Sequence, residues 1–130
     1  MFDDPKGPIE HFSWGRFIIC GNEHGKSGGK RVGKGKDIVL KGHKVKRWKA
    51  RQGHRLDSAM IEDACRPDVE VLIIGNGVDG LVECPEEVQD FVKQKGIGRL
   101  IVEKTPEACK TYNKLFRDGK NVVLLAHGTC

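Results

Sequence analysis

Apolar and polar positions alternate over short stretches in the first part of the chain, a pattern that predicts strands. Two extended segments, Ile9–Phe12 and Arg16–Cys20, are separated by a Trp-Gly bend, and Asp37–Lys41 and Lys44–Lys49 flank a two-residue turn as a β-hairpin. Six glycines crowd the intervening residues 21–36. Because glycine loses more backbone entropy on ordering than any other residue, we expect a mobile loop there.

The rest of the chain alternates helical and extended patterns. Five of the six residues of the segment Val69–Ile74 are apolar, as expected of a strand buried on both faces. Prolines and glycines set the helix boundaries, because proline favours a first turn and glycine a C-terminal end. The predicted elements are a helix from Ser58 to Cys65, a strand over Val69–Ile74, a helix from Pro85, a strand over Arg99–Glu103, a helix from Thr105 and a strand over Asn121–Ala126. This order predicts an α/β class with an added β-hairpin layer.

A length of 130 residues fits one domain, which we place at residues 9–130 behind a short N-terminal tail, residues 1–8. No apolar run approaches the ~18 residues that a membrane span needs, so no membrane partner is expected. The start of the chain has neither a hydrophobic signal region nor an Arg-rich leader. Five scattered cysteines without a C-x-x-C pair suit a reducing compartment, and we expect a cytoplasmic protein.

Charge is distributed unevenly along the chain. The segment Lys26–Arg55 holds twelve Lys or Arg residues and one acid, whereas the remaining residues hold eleven bases and seventeen acids. In its most basic stretch, KGHKVKRWKAR, five of the six cations lie close to the single aromatic residue Trp48. These five are Lys44, Lys46, Arg47, Lys49 and Arg51. On a strand, such residues follow a phosphate backbone and stack a base, which predicts a nucleic-acid or other polyanion partner. The alternative is a solvated edge strand that lysines protect from pairing, with Trp48 packed inward.

The stretch VEVLIIGNGVDG carries three glycines at G-x-G-x-x-G spacing: Gly75, Gly77 and Gly80. A dinucleotide site requires a helix to start at the third glycine, because its N-terminus holds the pyrophosphate. Here the helix-starting Pro85 comes five residues too late. The sequence therefore predicts a tight turn and no cofactor.

The same edge still offers a place for a small anion or for an acidic side chain of a partner. The Gly75–Gly77 turn and the helix from Thr105 both follow the carboxyl ends of parallel strands, where open α/β sheets place their ligands. Backbone N–H groups in such turns hold anions. If the protein is an enzyme, Tyr112 and Asn113 are the polar side chains that it would use here. The alternative is that both residues have a structural role. The candidate site comprises Gly75, Asn76, Gly77, Thr105, Tyr112 and Asn113, and no catalytic residue is assigned.

The closing tetrapeptide HGTC brings an imidazole and a thiol close together in sequence. His127 and Cys130 supply only two side chains of a tetrahedral metal set, and no second ligand pair stands out. We therefore expect an exposed C-terminal tail and no metal.

Five short motifs resemble the Mth-type domain family of unknown function, whose members include the adipogenesis-associated Mth domain protein and mitochondrial complex I assembly factor three. The motifs are FSWG at Phe12–Gly15, the lone Trp48, IIGNG at Ile73–Gly77, KTYN at Lys110–Asn113 and the closing HGTC. The likeness runs from Ile9 to Cys130. It implies a three-layer fold with a central mixed five-stranded sheet, helices on one side and an additional β layer, and not a Rossmann fold.

The resemblance implies no accepted catalytic activity. We therefore expect a non-catalytic binding or assembly module whose partner is another protein. A weak, non-specific polyanion binder acting through Lys26–Arg55 is the alternative, and an enzyme or small-anion binder at Gly75–Gly77 is a further one.

Overall fold

The computed structural model describes residues 1–130 and contains two five-stranded sheets and three α-helices. The first sheet, sheet A, is an antiparallel meander in which each strand pairs with the next. Its strands are β1 (Phe2–Asp3), β2 (Ile9–Ser13), β3 (Arg16–Ile19), β4 (Asn22–Ser27) and β5 (Lys30–Val32).

The second sheet, sheet B, is mixed and has the strand order β7-β6-β10-β8-β9. The strand β10 is central: it runs antiparallel to β6 and parallel to β8, and β8 is parallel to β9. The bounds are β6 (Asp37–Lys41), β7 (Lys44–Arg47), β8 (Val71–Gly75), β9 (Arg99–Glu103) and β10 (Val122–His127). The α/β class and the mixed five-stranded central sheet are confirmed.

The three α-helices begin at, or one residue after, the positions that the sequence predicts. Helix α1 (Ser58–Ile61) is capped by the Asp57 carboxylate, which accepts a hydrogen bond from the Met60 amide, and it continues as a short 3₁₀ turn, Glu62–Ala64. Helix α2 (Glu86–Gln94) follows Pro85 directly. Helix α3 (Thr105–Arg117) has a proline in its first turn. None of the helices is long and apolar enough to cross a membrane.

Sheet B separates two hydrophobic cores, because successive side chains of its inner strands point to opposite faces. On β8, Val71 and Ile73 pack with sheet A and α3, whereas Leu72 and Ile74 pack with α1 and α2. The helices therefore lie on both faces of sheet B, which corrects the expectation that they share one side. The physical reason is that β8 and β10 are apolar on both faces, and each face must be covered.

Two segments expected to lack regular structure belong to the fold. The glycine-rich residues 21–36 form the β4–β5 hairpin, because Gly28 and Gly29 supply the positive φ values, 55° and 79°, that its two-residue turn requires. Residues 1–8 are not a tail: β1 pairs with β2, and Asp4 accepts hydrogen bonds from Asn113 and Arg117 of α3. All five cysteines are free thiols.

Candidate functional site

The backbone amides at the Gly75–Thr105 edge are engaged within the protein. The Asn76 amide donates to the Glu103 carbonyl at 2.9 Å, and the Gly77 amide donates to Thr105 Oγ1 at 2.9 Å. The Thr105 amide in turn donates to the Gly77 carbonyl at 3.0 Å. The buried polar atoms left without a partner here are two acceptors, Asn76 Oδ1 and Glu103 Oε1. The edge therefore favours a hydrogen-bond donor over an anion.

Instead of a ligand, the Gly77 turn supports the segment that follows β10. The Val78 amide donates to the Thr129 carbonyl at 2.6 Å, and the Leu81 amide donates to the Cys130 carbonyl at 3.0 Å. A Cβ atom on Gly77 would lie only 2.3 Å from the Cys130 carbonyl group. The HGTC segment is therefore packed against the domain, which corrects the expectation of an exposed tail.

Tyr112 and Asn113 lie about two turns along α3 from Thr105, or roughly 10 Å, and are fully buried. The Tyr112 hydroxyl donates to the Gly42 carbonyl at 2.9 Å. The Asn113 side chain accepts from the Ile9 amide and donates to the Ile9 carbonyl, at 3.0 and 2.8 Å. Both side chains thus connect α3 to neighbouring strands and do not face the Gly75–Gly77 turn. This structural role was one of the two alternatives left open by the sequence.

In the predicted basic patch, the tryptophan and the cations point in different directions. Trp48 is 5% exposed, packs in the core beside α1 and donates from Nε1 to the Met60 carbonyl at 2.9 Å. Lys44, Lys46 and Arg47 are exposed on β7, the edge strand of sheet B. The inward alternative for Trp48 is therefore the one observed, and its indole cannot stack on a base.

A basic cleft opens between the β4–β5 hairpin and the chain that follows β7. Its lining holds seven basic side chains and one acid, Asp37: the basic ones are Lys26, Arg31, Lys34, Lys36, Arg47, Lys49 and Arg51. Lys46 joins four of them in an adjoining recess. The cleft thus combines part of the predicted patch with cations of the glycine-rich segment. The sequence signal for these additional cations was the excess positive charge of Lys26–Arg55.

Two partly buried sets of interactions fix the walls of this cleft. His24 Nδ1 accepts a hydrogen bond from the Lys34 amide at 2.9 Å, which holds the end of the hairpin. Across the cleft, the Asp37 carboxylate pairs with Arg51 Nε at 3.1 Å and with His127 Nδ1 at 2.6 Å. Burial raises the pKa of Asp37, but the His127 hydrogen bond and the Arg51 charge outweigh it, so the pKa lies below its usual value.

A family model described as "Protein of unknown function (DUF498/DUF598)" matches residues 9–127. The chain belongs to this family. The resemblance to the Mth-type domain family is confirmed, since a solved structure similar to this chain is itself described as a Mth938-like domain. A comparison with curated proteins finds no match.

Solved structures share the DUF498 fold over nearly the whole chain. A conserved hypothetical protein from Pyrococcus horikoshii OT3 is 26% identical, with a TM-score of 0.74 over 94% of this chain and 98% of that one. A protein from Bartonella henselae, described as an outer membrane protein, is 20% identical, with a TM-score of 0.71 over 95% of each chain. The Mth938-like domain of Bordetella pertussis is 19% identical, with a TM-score of 0.59 over 98% and 91%. At these low identities the last two show the fold alone.

Proposed function

We propose that the chain is a non-catalytic binding module that holds a phosphate-rich polyanion in the basic cleft. The observation that carries the proposal is the lack of neutralising partners: of the seven basic side chains in the cleft, only Arg51 forms an ion pair. A folded surface normally intersperses both signs of charge, because like charges close together repel. This concave surface is lined by six unpaired cations, and an anionic chain bound there would reduce the repulsion among them.

The expected mode of binding is non-specific. Lysine and arginine contacts to phosphates carry no sequence information, and the release of condensed counterions supplies most of the free energy. With Trp48 buried, the exposed aromatic side chain nearest in sequence to the cleft is Trp14, which is 59% exposed. Its neighbour Gly15 accepts a backbone hydrogen bond from Lys26, a cleft residue. We expect this exposed indole to stack on a base of the bound strand, which would favour single strands over duplexes.

A fluorescence-polarisation titration with a labelled single-stranded oligonucleotide tests the proposal. Binding should weaken about tenfold or more between ~50 and ~200 mM salt. The triple substitution Lys34→Ala, Arg47→Ala and Lys49→Ala should lower affinity by about tenfold or more, equally for all sequences. The matched control replaces Lys93, Lys110 and Lys120, three exposed lysines outside the cleft, and removes the same charge. Equal losses in the two triple variants, or no binding at ~50 mM salt, would contradict a role for the cleft.

A second candidate, assembly with an acidic partner protein, is favoured by a groove beside the cleft. This groove of about 770 Å³ lies between β7 and α1, and half of its lining residues are apolar, including Val39, Met60 and Leu125. Several cations also line it, among them Lys41 and Arg66. An amphipathic acidic segment would place apolar side chains in the groove and carboxylates against those cations.

One substitution in the groove distinguishes binding of an acidic partner there from polyanion binding in the cleft. Met60 lines the groove but not the cleft, and its side chain is partly buried. The probe is an amphipathic helical peptide with Leu on one face and Glu on the other. Met60→Asp should weaken its binding by about tenfold or more, because a carboxylate would enter the apolar part of the groove. Oligonucleotide affinity should stay within about twofold of the unmodified protein. Loss of both affinities would mean that the groove and the cleft bind the same ligand.

A further inference from the structure

Three side chains able to bind a transition metal meet at one end of sheet B. They are His54, in the loop between β7 and α1, His127 at the end of β10, and Cys130. Their ligand atoms all lie within 4.8 Å of one another. Cys130 Sγ is 3.2 Å from His54 Nε2 and 3.8 Å from His127 Nε2. Segments that are distant in sequence therefore supply two imidazoles and a thiol to a single point.

The fold holds each of these residues by contacts other than those among the three. The backbone of His54 is fixed by the Glu83 amide, which donates to the His54 carbonyl at 2.7 Å. Cys130 is held by the Leu81 amide at its carbonyl group and by close packing against Gly77. His127 is 2% exposed and lies in a strand with neighbours on both sides. One ligand thus stands on a central strand, and backbone contacts hold the two irregular segments that carry the other two.

The buried histidine has the hydrogen bonding that metal-binding histidines show. Its Nδ1 atom pairs with the Asp37 carboxylate at 2.6 Å, and its Nε2 atom lies 3.2 Å from the Thr129 hydroxyl, which zinc would displace, and 3.8 Å from Cys130 Sγ. The carboxylate is itself fixed, since its other oxygen pairs with Arg51. A carboxylate on the far nitrogen of a ligating imidazole orients the ring and increases its basicity as a ligand.

We propose that His54 Nε2, His127 Nε2 and Cys130 Sγ form a zinc site with three protein ligands and one position open to an exogenous ligand. In a tetrahedral zinc site, N–N and N–S edges of about 3.3–3.6 Å follow from the usual bond lengths. The two sulfur–nitrogen distances, 3.2 and 3.8 Å, lie on either side of that value. Magnesium and calcium do not fit, because they prefer oxygen ligands.

This site is separate from the proposed polyanion binding, although the two regions adjoin. Asp37 lines the basic cleft with one carboxylate oxygen paired to Arg51, and it supports His127 with the other. None of the three ligands lines the cleft. The two proposals can therefore fail separately. Zinc binding without oligonucleotide binding would contradict only the polyanion proposal, and oligonucleotide binding without zinc binding would contradict only the zinc site.

Cobalt(II) titration of the reduced protein without a histidine tag tests the site. One equivalent should give visible d–d bands of tetrahedral intensity and a near-ultraviolet thiolate-to-cobalt charge-transfer band, and zinc should abolish both. The substitutions His54→Ala and Cys130→Ser should each weaken cobalt and zinc binding by about a hundredfold or more, since a ligand matters more than its supporting carboxylate. His54 is exposed and the Ser change is nearly isosteric, so both variants should keep the circular dichroism of the folded protein.

Matched controls use a cysteine and a histidine outside the cluster. Cys20 and His43 are both exposed, and the substitutions Cys20→Ser and His43→Ala should leave zinc affinity unchanged. Asp37→Asn should weaken it by about tenfold to a hundredfold through the loss of support for His127. Absence of the charge-transfer band, or its persistence in Cys130→Ser, would overturn the proposal. Alkylation of Cys130 at the same rate with and without zinc would overturn it as well, because a coordinated thiolate is protected.

Discussion

At the scale of single residues, positions 77 and 128 require glycine because the backbone of another segment occupies the space that a Cβ atom would need. A Cβ on Gly128 would lie 2.2 Å from the Lys36 carbonyl oxygen, and one on Gly77 would meet the Cys130 carbonyl group. Gly77 also has a φ of 104°, which L side chains rarely adopt. Gly77 of the G-x-G-x-x-G stretch thus serves the close approach of two chain segments, a role that the spacing alone does not distinguish from phosphate binding.

Substituting Gly77 tests this role against a glycine with similar backbone strain. Gly77→Ala should lower the free energy of unfolding by about 2–4 kcal/mol, since the methyl group must displace the Thr129–Cys130 backbone. Gly80→Ala is the control: its φ of 71° is also positive, but its Cβ would meet only the flexible Lys104 chain and Asn76 Oδ1, at 3.5–3.6 Å. It should cost about 1 kcal/mol. Urea denaturation gives both values, and equal losses would show that strain, not the close contact, requires glycine at position 77.

At the scale of elements, the β4–β5 hairpin depends on a buried neutral histidine. Desolvation lowers the pKa of His24 below its usual value of 6.5, and the nearby charge of Lys34 lowers it further. The neutral ring accepts the Lys34 amide at Nδ1, and a protonated ring cannot accept at that atom. The order of one wall of the basic cleft therefore depends on the protonation state of one ring.

The hairpin should loosen on acidification. A histidine whose pKa is lower in the folded than in the unfolded state stabilises the fold fully above about pH 6.5, and this stabilisation is lost as the pH falls through the lower, folded value. Amide hydrogen exchange at Lys34 should therefore accelerate between about pH 7 and pH 5, after correction for the intrinsic rate. His24→Asn keeps an acceptor at the position of Nδ1 and does not titrate, so its corrected exchange should be flat over that range. The same acceleration in His24→Asn would assign the effect to another group.

The sequence predicted most elements and missed this hairpin for a specific reason. Strands β2, β6, β8, β9 and β10 carry apolar side chains at the expected period, so their positions follow from burial. The hairpin strands NEHGKS and KRV carry almost none and are held by pairing with β3 and by the fit of Gly25 against the Gly15 backbone. Contacts between backbones leave little trace in hydrophobic patterning.

At the scale of the whole molecule, function-related groups come together only through long-range contacts. The three zinc ligands that we propose lie on two segments, the loop at His54 and the HGTC segment, and the sequence showed only His127 and Cys130 because they are neighbours in HGTC. His54 was not recognisable, since nothing near it in sequence marks a ligand. The cleft likewise joins sheet A to sheet B. Charge composition located the basic segment, but only the packing of the two layers shows that its cations face one another.

The central position of β10 has a consequence for how the protein folds during synthesis. Its neighbours β6 and β8 are both made earlier, and without β10 they have no shared hydrogen-bonding partner. A nascent chain that has reached β9 therefore holds two separate halves of a sheet, each with an exposed apolar edge that other chains can pair with. Sheet B can therefore be completed only after β10 has been made. Because β10 pairs with strands far from it in the chain, folding of sheet B should be slow, and chaperone binding during elongation is expected to favour it.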